Sequence, residues 1–243
     1  MSKQVNEFDR IAKIIAHRSG ASRREAEKLI AARRVRVDGK IVDSPAIKLA
    51  YNANIAVDNL PLKPIGASKL FIFNKPSKVL CSKGDDLGRK TIYDVLPPEY
   101  QDLKYIGRLD FMSEGLLLMT NDGELARNLT LPSNEIERVY KVRLYGYFDE
   151  ERLRSRLAKK ITIDGTNYNV KHFSVIEKSG ANHWVKVTLM EGKNREIRRI
   201  FDHFDLKVSR LIRSEYGPYS LGTLKNGNIK EVKIRSQHSE QPK

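Results

Sequence analysis

The stretch "GRLDFMSEGLLLMT", residues 107–120, sets one carboxylate, Asp110, just ahead of an almost unbroken apolar run. An aspartate at such a place is either a turn residue or a reagent. Gly107 suits a backbone that turns or approaches a ligand closely. "GLLLMT" reads as a buried strand, so Asp110 is expected on the loop that enters a core. A carboxylate there is partly desolvated and needs a positive partner or hydrogen-bond donors to stay ionised. The segment "EGKNREIRRIF", 191–201, can supply one. Ile197, Ile200, Phe201 and Phe204 form the apolar stripe of a helix, with Arg195, Arg198 and Arg199 at helical spacing beside it. Spacing leaves open which arginine turns inward.

Other chemistries find less support. The single cysteine, Cys81, excludes an internal disulfide, and with five scattered histidines it forms no CxxC or HExxH metal site. His172, His183 and His203 bear no motif relation to Asp110 or Ser113, and there is no nucleophile elbow, which disfavours a hydrolase. Lys and Arg number 45 against 30 Asp and Glu, a net charge of +15. A protein this basic commonly meets a polyanion, nucleic acid above all. The start, "MSKQVNEFDRIAK", lacks the apolar core of a secretory signal, and no apolar run approaches bilayer length. A cytoplasmic protein without membrane contact is expected, with a monomer as the default.

The elements around Asp110 divide in two. Residues 1–64 carry 13 Lys and Arg against 7 Asp and Glu. Ile11, Ile14 and Ile15 have helical spacing. Ser22 and Glu25 make a capping box for a second helix that buries Ala26, Leu29 and Ile30. "RVRVDGKIV" alternates around Asp38-Gly39, a type I′ hairpin signal, and a strand follows near "NIAVDNL". Arg23, Arg24, Lys28, Arg33, Arg34, Arg36 and Lys40 lie on these short rigid elements, where they can track phosphates. "PLKPIGAS", 61–68, reads as a linker. A larger unit over 69–236 follows, with "RSQHSEQPK" as a loose tail. Strands are expected at "KLFIFNK", "GLLLMT", "RVYKVRLYG" and "HWVKVTLME". Helices are expected at "TIYDVLPPEY", "GELARNLT", "DEERLRSRLAKK" and "NREIRRIFDHF", and Asp164-Gly165 marks another hairpin. Strands and helices do not alternate regularly, so the fold class is α+β with a mostly antiparallel mixed sheet.

"RIAKIIAHRSGASRREAEKLIAARRVRVDGKIV" resembles the S4 RNA-binding domain, with Arg34 where many such sequences carry glycine. "FNKPSKVLCS", "YIGRLDFMSEGLLLMTNDGELARNLTLPS", "ERVYKVRLYG" and "VTLMEGKNREIRRIFDHFDLKVSRLIRSEYGP" follow in this order. Together they resemble the pseudouridine synthases that modify bacterial ribosomal RNA. The first four letters of the Asp110 segment alone are a weak match; the four segments at these separations, spanning nearly the whole chain, are a strong one.

The resemblance implies isomerisation of a uridine in ribosomal RNA, the large-subunit (23S) RNA or an assembling particle, without a cofactor or metal. It makes Asp110 the catalytic aspartate, as nucleophile or base, and Arg198 its basic partner, a role Arg195 or Arg199 could take instead. Tyr140 becomes the tyrosine that lies against the uracil; it shares a strand face with Val142 and Leu144. Arg108 is expected to fill the gap left by a flipped base or to bind a phosphate, with a surface salt bridge as the alternative. Arg195, Arg23, Arg24, Lys28, Arg34 and Arg36 complete the expected RNA contacts. Lys75-Pro76 reads as structural and Ser113 as a loop hydrogen-bonder. Lys78 stands where glycine is common, and Met112 where a small polar residue is. The alternative readings are a non-catalytic RNA-binding or ribosome-assembly factor and a small-subunit pseudouridine synthase.

Overall fold

The computed structural model describes residues 8–64 and 66–235; the tail after Arg235 and Ile65 of the linker lie outside them. The chain forms two compact units, Met1–Ser68 with Asn121–Gly123, and Lys69–Thr120 with Glu124–Lys243.

The first unit runs β1 (Phe8–Arg10), α1 (Ile11–Ser19), α2 (Arg23–Ala31), β2 (Val35–Val37), β3 (Lys40–Val42), β4 (Lys48–Ala50), β5 (Ile55–Val57) and β6 (Leu60–Pro61). Ile11, Ile14, Ile15, Ala26 and Ile30 from the helices meet Val35 and Ile55 from the sheet in one core. Leu29 is only half-buried. The capping box forms: Glu25 N–H donates to Ser22 Oγ at 3.2 Å, and Ser22 N–H donates to Glu25 Oε2 at 2.6 Å. Asp38 and Gly39 have φ of 47° and 81°, both positive as a type I′ turn requires. The left-handed residue after α2 is Arg33, φ 57°. The pairing of β1 with β4 carried no signal in the sequence.

The second unit runs β7 (Leu70–Lys75), α3 (Ile92–Val95), β8 (Lys104–Ile106), β9 (Glu114–Thr120), α4 (Gly123–Asn128), β10 (Arg138–Tyr145), α5 (Glu150–Leu157), β11 (Ile161–Ile163), β12 (Thr166–Tyr168), β13 (His172–Ser179), β14 (Asn182–Leu189), α6 (Glu196–Asp202), β15 (Lys207–Tyr216), β16 (Tyr219–Ser220) and β17 (Ile229–Val232). Seven strands follow the order β13-β14-β10-β15-β9-β7-β17, with β16 on β15 and β8 on β9. Its pairings are antiparallel except β15 with β9, joined through Ile212 opposite Glu114 and Arg213 opposite Gly115. Helices α5 and α6 pack Leu153, Leu157, Ile200 and Phe201 against Val142, Leu144, Val185 and Leu211 on one face. Leu116 and Leu118 join a second core with Ile106, Leu129 and Tyr216.

Two helices are shorter than the sequence suggests. The one expected over "TIYDVLPPEY" is α-helical only at Ile92–Val95 and resumes as a 3₁₀ turn at Pro98–Tyr100. Pro97 and Pro98 remove donors and push the residue before them out of the helical region. Helix α6 begins at Glu196 because Arg195 is left-handed, φ 51°, so Arg195 precedes the helix rather than sharing its face.

The parallel junction depends on Gly115. Its φ is 100°, and a Cβ there would lie 2.4 Å from the Arg213 carbonyl oxygen. Gly115→Ala is therefore expected to lose about 3 kcal/mol or more of stability, through overlap with backbone and positive-φ strain together. Chemical denaturation checks this, and a loss below about 1 kcal/mol would mean that β9 and β15 can separate without cost.

Candidate active site

The loop between β8 and β9 carries Asp110 to a cleft of about 360 Å³. Gly107 opens the loop with φ 68°. The Asp110 carbonyl closes it as a turn, accepting from Ser113 N–H at 3.0 Å. Lys75, fully buried at the end of β7, holds the same loop from beneath. Its Nζ donates to the Pro76 carbonyl at 2.8 Å, the Ser113 carbonyl at 2.9 Å and, more weakly, the Asp110 carbonyl at 3.4 Å. Burial pushes the Lys75 pKa down to about 8, with the Glu114 and Asp110 charges among those opposing it. Asp110 is thus a turn residue through its backbone, while its half-buried carboxylate makes no hydrogen bond or ion pair among the described residues.

Tyr140, on β10, lines the same cleft and is 8 % exposed. It does share its face with the buried Val142 and Leu144. Arg108 and Arg195 also line the cleft, and both are exposed. Arg198 does not. Its Nη1 donates to the Val208 carbonyl at 3.0 Å, and its Nε is buried without a partner among the described residues. Burial pushes the Arg198 pKa down, Arg195 adds to that, and the Asp110 charge acts in the opposite direction. The ion pair with Asp110 that the resemblance implies is not formed: Asp110 influences Arg198 through space only. Arg199 is exposed on α6.

Cleft residues that the sequence does not single out include Arg138 and Arg213, which are 8 % and 2 % exposed. They flank the ring of Tyr216, each guanidinium 5.0 Å from its centroid. Arg138 Nη1 donates to the Ile136 and Met190 carbonyls, and its Nη2 to Tyr216 Oη at 3.2 Å. Arg213 Nε donates to the Leu116 carbonyl at 2.8 Å, and its Nη1 to the Arg108 carbonyl at 3.4 Å. Its Nη2 is buried with no partner among the described residues. Among the described residues neither arginine forms an ion pair, so their charges are met directly by backbone carbonyls and a phenol, with the Asp110 carboxylate in the same cleft. For Arg138 the signal is an arginine in phase with Tyr140 on a predicted strand, where a charge is costly unless it is used; Arg213 gives none, since its strand is not predicted.

Glu196 completes the rim. It is 3 % exposed, and its Oε2 accepts from Lys193 N–H at 3.0 Å. Burial pushes its pKa up to about 7, helped by the neighbouring Glu191 charge and opposed by Lys193. The folded value lies above the ordinary 4.5, so the native state binds the extra proton. Its contribution to stability is complete below pH 4.5 and is lost as the pH rises through about 7. Glu196→Gln keeps the acceptor for Lys193 and removes the titration. The wild type is expected to lose on the order of 2 kcal/mol relative to this variant between pH 5 and 8, read from melting temperatures across that range. Parallel profiles for the two proteins would contradict it.

In the first unit, Arg23, Arg24 and Lys28 are exposed on α2. Two other basic residues are committed internally. Arg34 Nε donates to Asp58 Oδ1 at 2.7 Å, part of a two-point ion pair that raises the Arg34 pKa and lowers that of Asp58. Arg36 donates to the Gly39 carbonyl at 2.9 Å and to Asn59 Oδ1 at 3.1 Å. Of the positions that depart from glycine, Lys78 takes φ 59°, the left-handed conformation that explains why glycine suits it.

The chain thus carries an aspartate-bearing cleft on a mixed sheet and, earlier in the sequence, a small helix-and-hairpin module, and comparison with known proteins gives the class. The RNA pseudouridylate synthase family model matches residues 69–203, and the S4 domain model matches residues 9–51. An uncharacterized RNA pseudouridine synthase of Rickettsia bellii is 44 % identical over 93 % of this chain and 97 % of its own. The ribosomal large subunit pseudouridine synthase B of Pasteurella multocida is 39 % identical over 94 % of this chain and 68 % of its own. A crystal structure of a pseudouridylate synthase superposes with a TM-score of 0.63 at 29 % identity, covering 92 % of this chain and 96 % of that one. The chain belongs to the RNA pseudouridylate synthase family and carries an S4 domain. It is a pseudouridine synthase that binds RNA. Among the described residues no helix is long and apolar enough to cross a membrane.

Proposed function

We propose that this chain isomerises a specific uridine of large-subunit (23S) ribosomal RNA to pseudouridine, with Asp110 as the reacting carboxylate. The observation that supports this most is Asp110 itself: a half-buried carboxylate in a cleft, with no partner among the described residues, on a loop fixed by Lys75 and Ser113. A side chain satisfied by its own protein would have little left to offer a substrate. In the proposed reaction the C1′–N1 bond breaks as the carboxylate attacks C1′ or removes a neighbouring proton. The freed uracil turns over and C5 bonds to C1′, displacing the Asp110 carboxylate on the nucleophilic route or, on the elimination route, adding across the C1′=C2′ bond as Asp110 returns the C2′ proton; the C5 hydrogen then leaves as a proton and N1 gains one. Tyr140 gives the flipped base a flat surface that leaves its edges free to turn. Arg198 supplies a cation near Asp110 without touching it, and Arg138 and Arg213 add positive charge to the cleft around the developing negative charge. Arg108 and Arg195, both exposed at the rim, hold flanking phosphates.

Arg23, Arg24 and Lys28 supply the anchoring contacts of the S4 unit. Arg34 and Arg36 serve it by fixing the turn and hairpin, since both are bonded internally. Unstacking a base costs a few kcal/mol, which distributed phosphate contacts offset. We take the protein to act as a monomer in the cytoplasm, where ribosomal RNA is assembled. The large-subunit assignment is supported by the Pasteurella multocida relative's name.

The test is to incubate large- and small-subunit ribosomal RNA, naked and in precursor particles, with the protein and map carbodiimide-dependent reverse-transcription stops. One new stop in the large-subunit RNA is expected. A stop confined to small-subunit RNA would overturn the substrate assignment, and none in any RNA would return the chain to a binding or assembly role.

A further inference from the structure

Strand β10 alternates cleanly. It buries Tyr140, Val142 and Leu144 toward the cores and turns Lys141, Arg143 and Tyr145 outward. Helices α5 and α6 pack only on the buried side. Among the described residues of this unit no helix joins a core on the outward side of β13, β14, β10 and β15, and the cross-strand neighbours there are unusual. Lys141 lies directly opposite Lys186 on β14. Arg143 lies opposite Arg210 on β15 and, on its other side, opposite Trp184. Tyr145 lies opposite Lys207. Side chains so placed are about 5 Å apart at Cβ, and like charges facing one another there destabilise a sheet. Two such pairs side by side are a cost that a solvated sheet face does not need.

The acidic residues on this face relieve it only in part. Glu114 takes Arg210 with two bonds of 2.9 Å, and Glu215 lies 3.5 Å from Lys186. Glu177 is exposed opposite Trp184. Lys141, Arg143 and Lys207 have no acidic partner among the described residues. Trp184, the chain's one tryptophan, is half-buried among these cations, and Tyr145 is 53 % exposed beside them.

We infer that this open sheet face is a second RNA-binding surface, where Lys141, Arg143 and Lys207 hold phosphates of a single-stranded segment whose bases stack on Trp184 and Tyr145. Unpaired cations interleaved with aromatic rings suit a single strand, because phosphates take the charges and every base offers a π-face. An acidic protein would satisfy the lysines and arginines equally but would not call for the exposed rings. Residues that alternate along one strand then serve two ends: Tyr140 faces the cleft, and its neighbour Lys141 faces RNA beyond the target. The inference rests on the chain acting on RNA, and it does not depend on which uridine is modified.

The single tryptophan gives a direct reading. The full chain is titrated with an RNA hairpin carrying single-stranded flanks, and the emission of Trp184 is followed beside filter binding. The emission is expected to be quenched along the binding curve. Lys141→Gln/Arg143→Gln should weaken binding about tenfold, flatten the salt dependence by about 1.4 in log–log slope, and reduce the quench. Without RNA this variant should melt at or above the wild-type temperature, since two like-charge pairs are gone, so weaker binding will not reflect misfolding. Constant Trp184 emission through saturation, with the variant binding within twofold of the wild type, would overturn the inference. Conversion to pseudouridine by the wild type is scored separately, so failure of the proposed function would be seen as no product whatever Trp184 reports.

Discussion

Asp110→Asn is expected to abolish pseudouridine formation while leaving RNA affinity within about twofold. The substitution keeps the size of the side chain and removes the charge. Among the described residues the Asp110 carboxylate has no hydrogen bond or ion pair to lose, and its structural work, accepting from Ser113 N–H and from Lys75, is done by the backbone carbonyl. The fold should therefore tolerate the change, with a melting temperature near that of the wild type. An amide is neither a competent nucleophile at C1′ nor a base, so turnover should fall by more than about 10³-fold. RNA affinity comes from distributed cations and should persist. Single-turnover conversion measured beside filter binding separates the two. A variant that retained even a tenth of wild-type turnover would show that the reacting group lies elsewhere in the cleft.

The second large effect is expected at Arg213. This arginine joins the β9 carbonyl of Leu116 to the Arg108 carbonyl in the Asp110 loop, and its guanidinium lies over Tyr216. It fixes the approach to Asp110 by geometry as much as by charge. Lysine keeps the charge but cannot reproduce a planar fork that bonds two carbonyls while stacking on a ring. Arg213→Lys should lower kcat by about 100-fold, the scale of a misplacement near 1 Å, with a much smaller change in KM. Some stability will also be lost, since Leu116 and Arg108 carbonyls are left short of a donor. Melting temperature and kcat must therefore be read together at a temperature where the variant is folded. Wild-type kcat in a folded Arg213→Lys protein would assign Arg213 to charge alone.

Much of this was legible in the sequence for local reasons. Ser22 and Glu25 fix a helix start through bonds three residues apart, and Asp38-Gly39 fixes a hairpin through two positive φ values. The alternation of "RVYKVRLY" set Tyr140 on the buried face with Val142 and Leu144. Most of what the sequence hides is non-local. Strand β15 was missed because irregular register against β10, at Val139/Tyr140 and Arg143/Leu144, breaks its alternation. With β15 unseen, the inward turn of Arg213 was invisible, as was the close approach that demands Gly115. Arg195 was placed on a helix it only precedes, because spacing cannot report one left-handed residue. Arg34 looked like a free cation, since Asp58, its partner, is 24 residues away.

The central claim is that Asp110 drives a reaction that replaces the C5–H bond of a uridine with a bond from C5 to C1′. Forming the new bond must expel the hydrogen at C5. Large-subunit ribosomal RNA tritiated at uridine C5, naked and in precursor particles, measures that step directly as tritium released to water. Release is expected to rise to one equivalent per RNA with the wild type and to stay at background with Asp110→Asn. Equal release by the two proteins, or none by the wild type on either form of RNA, would contradict it.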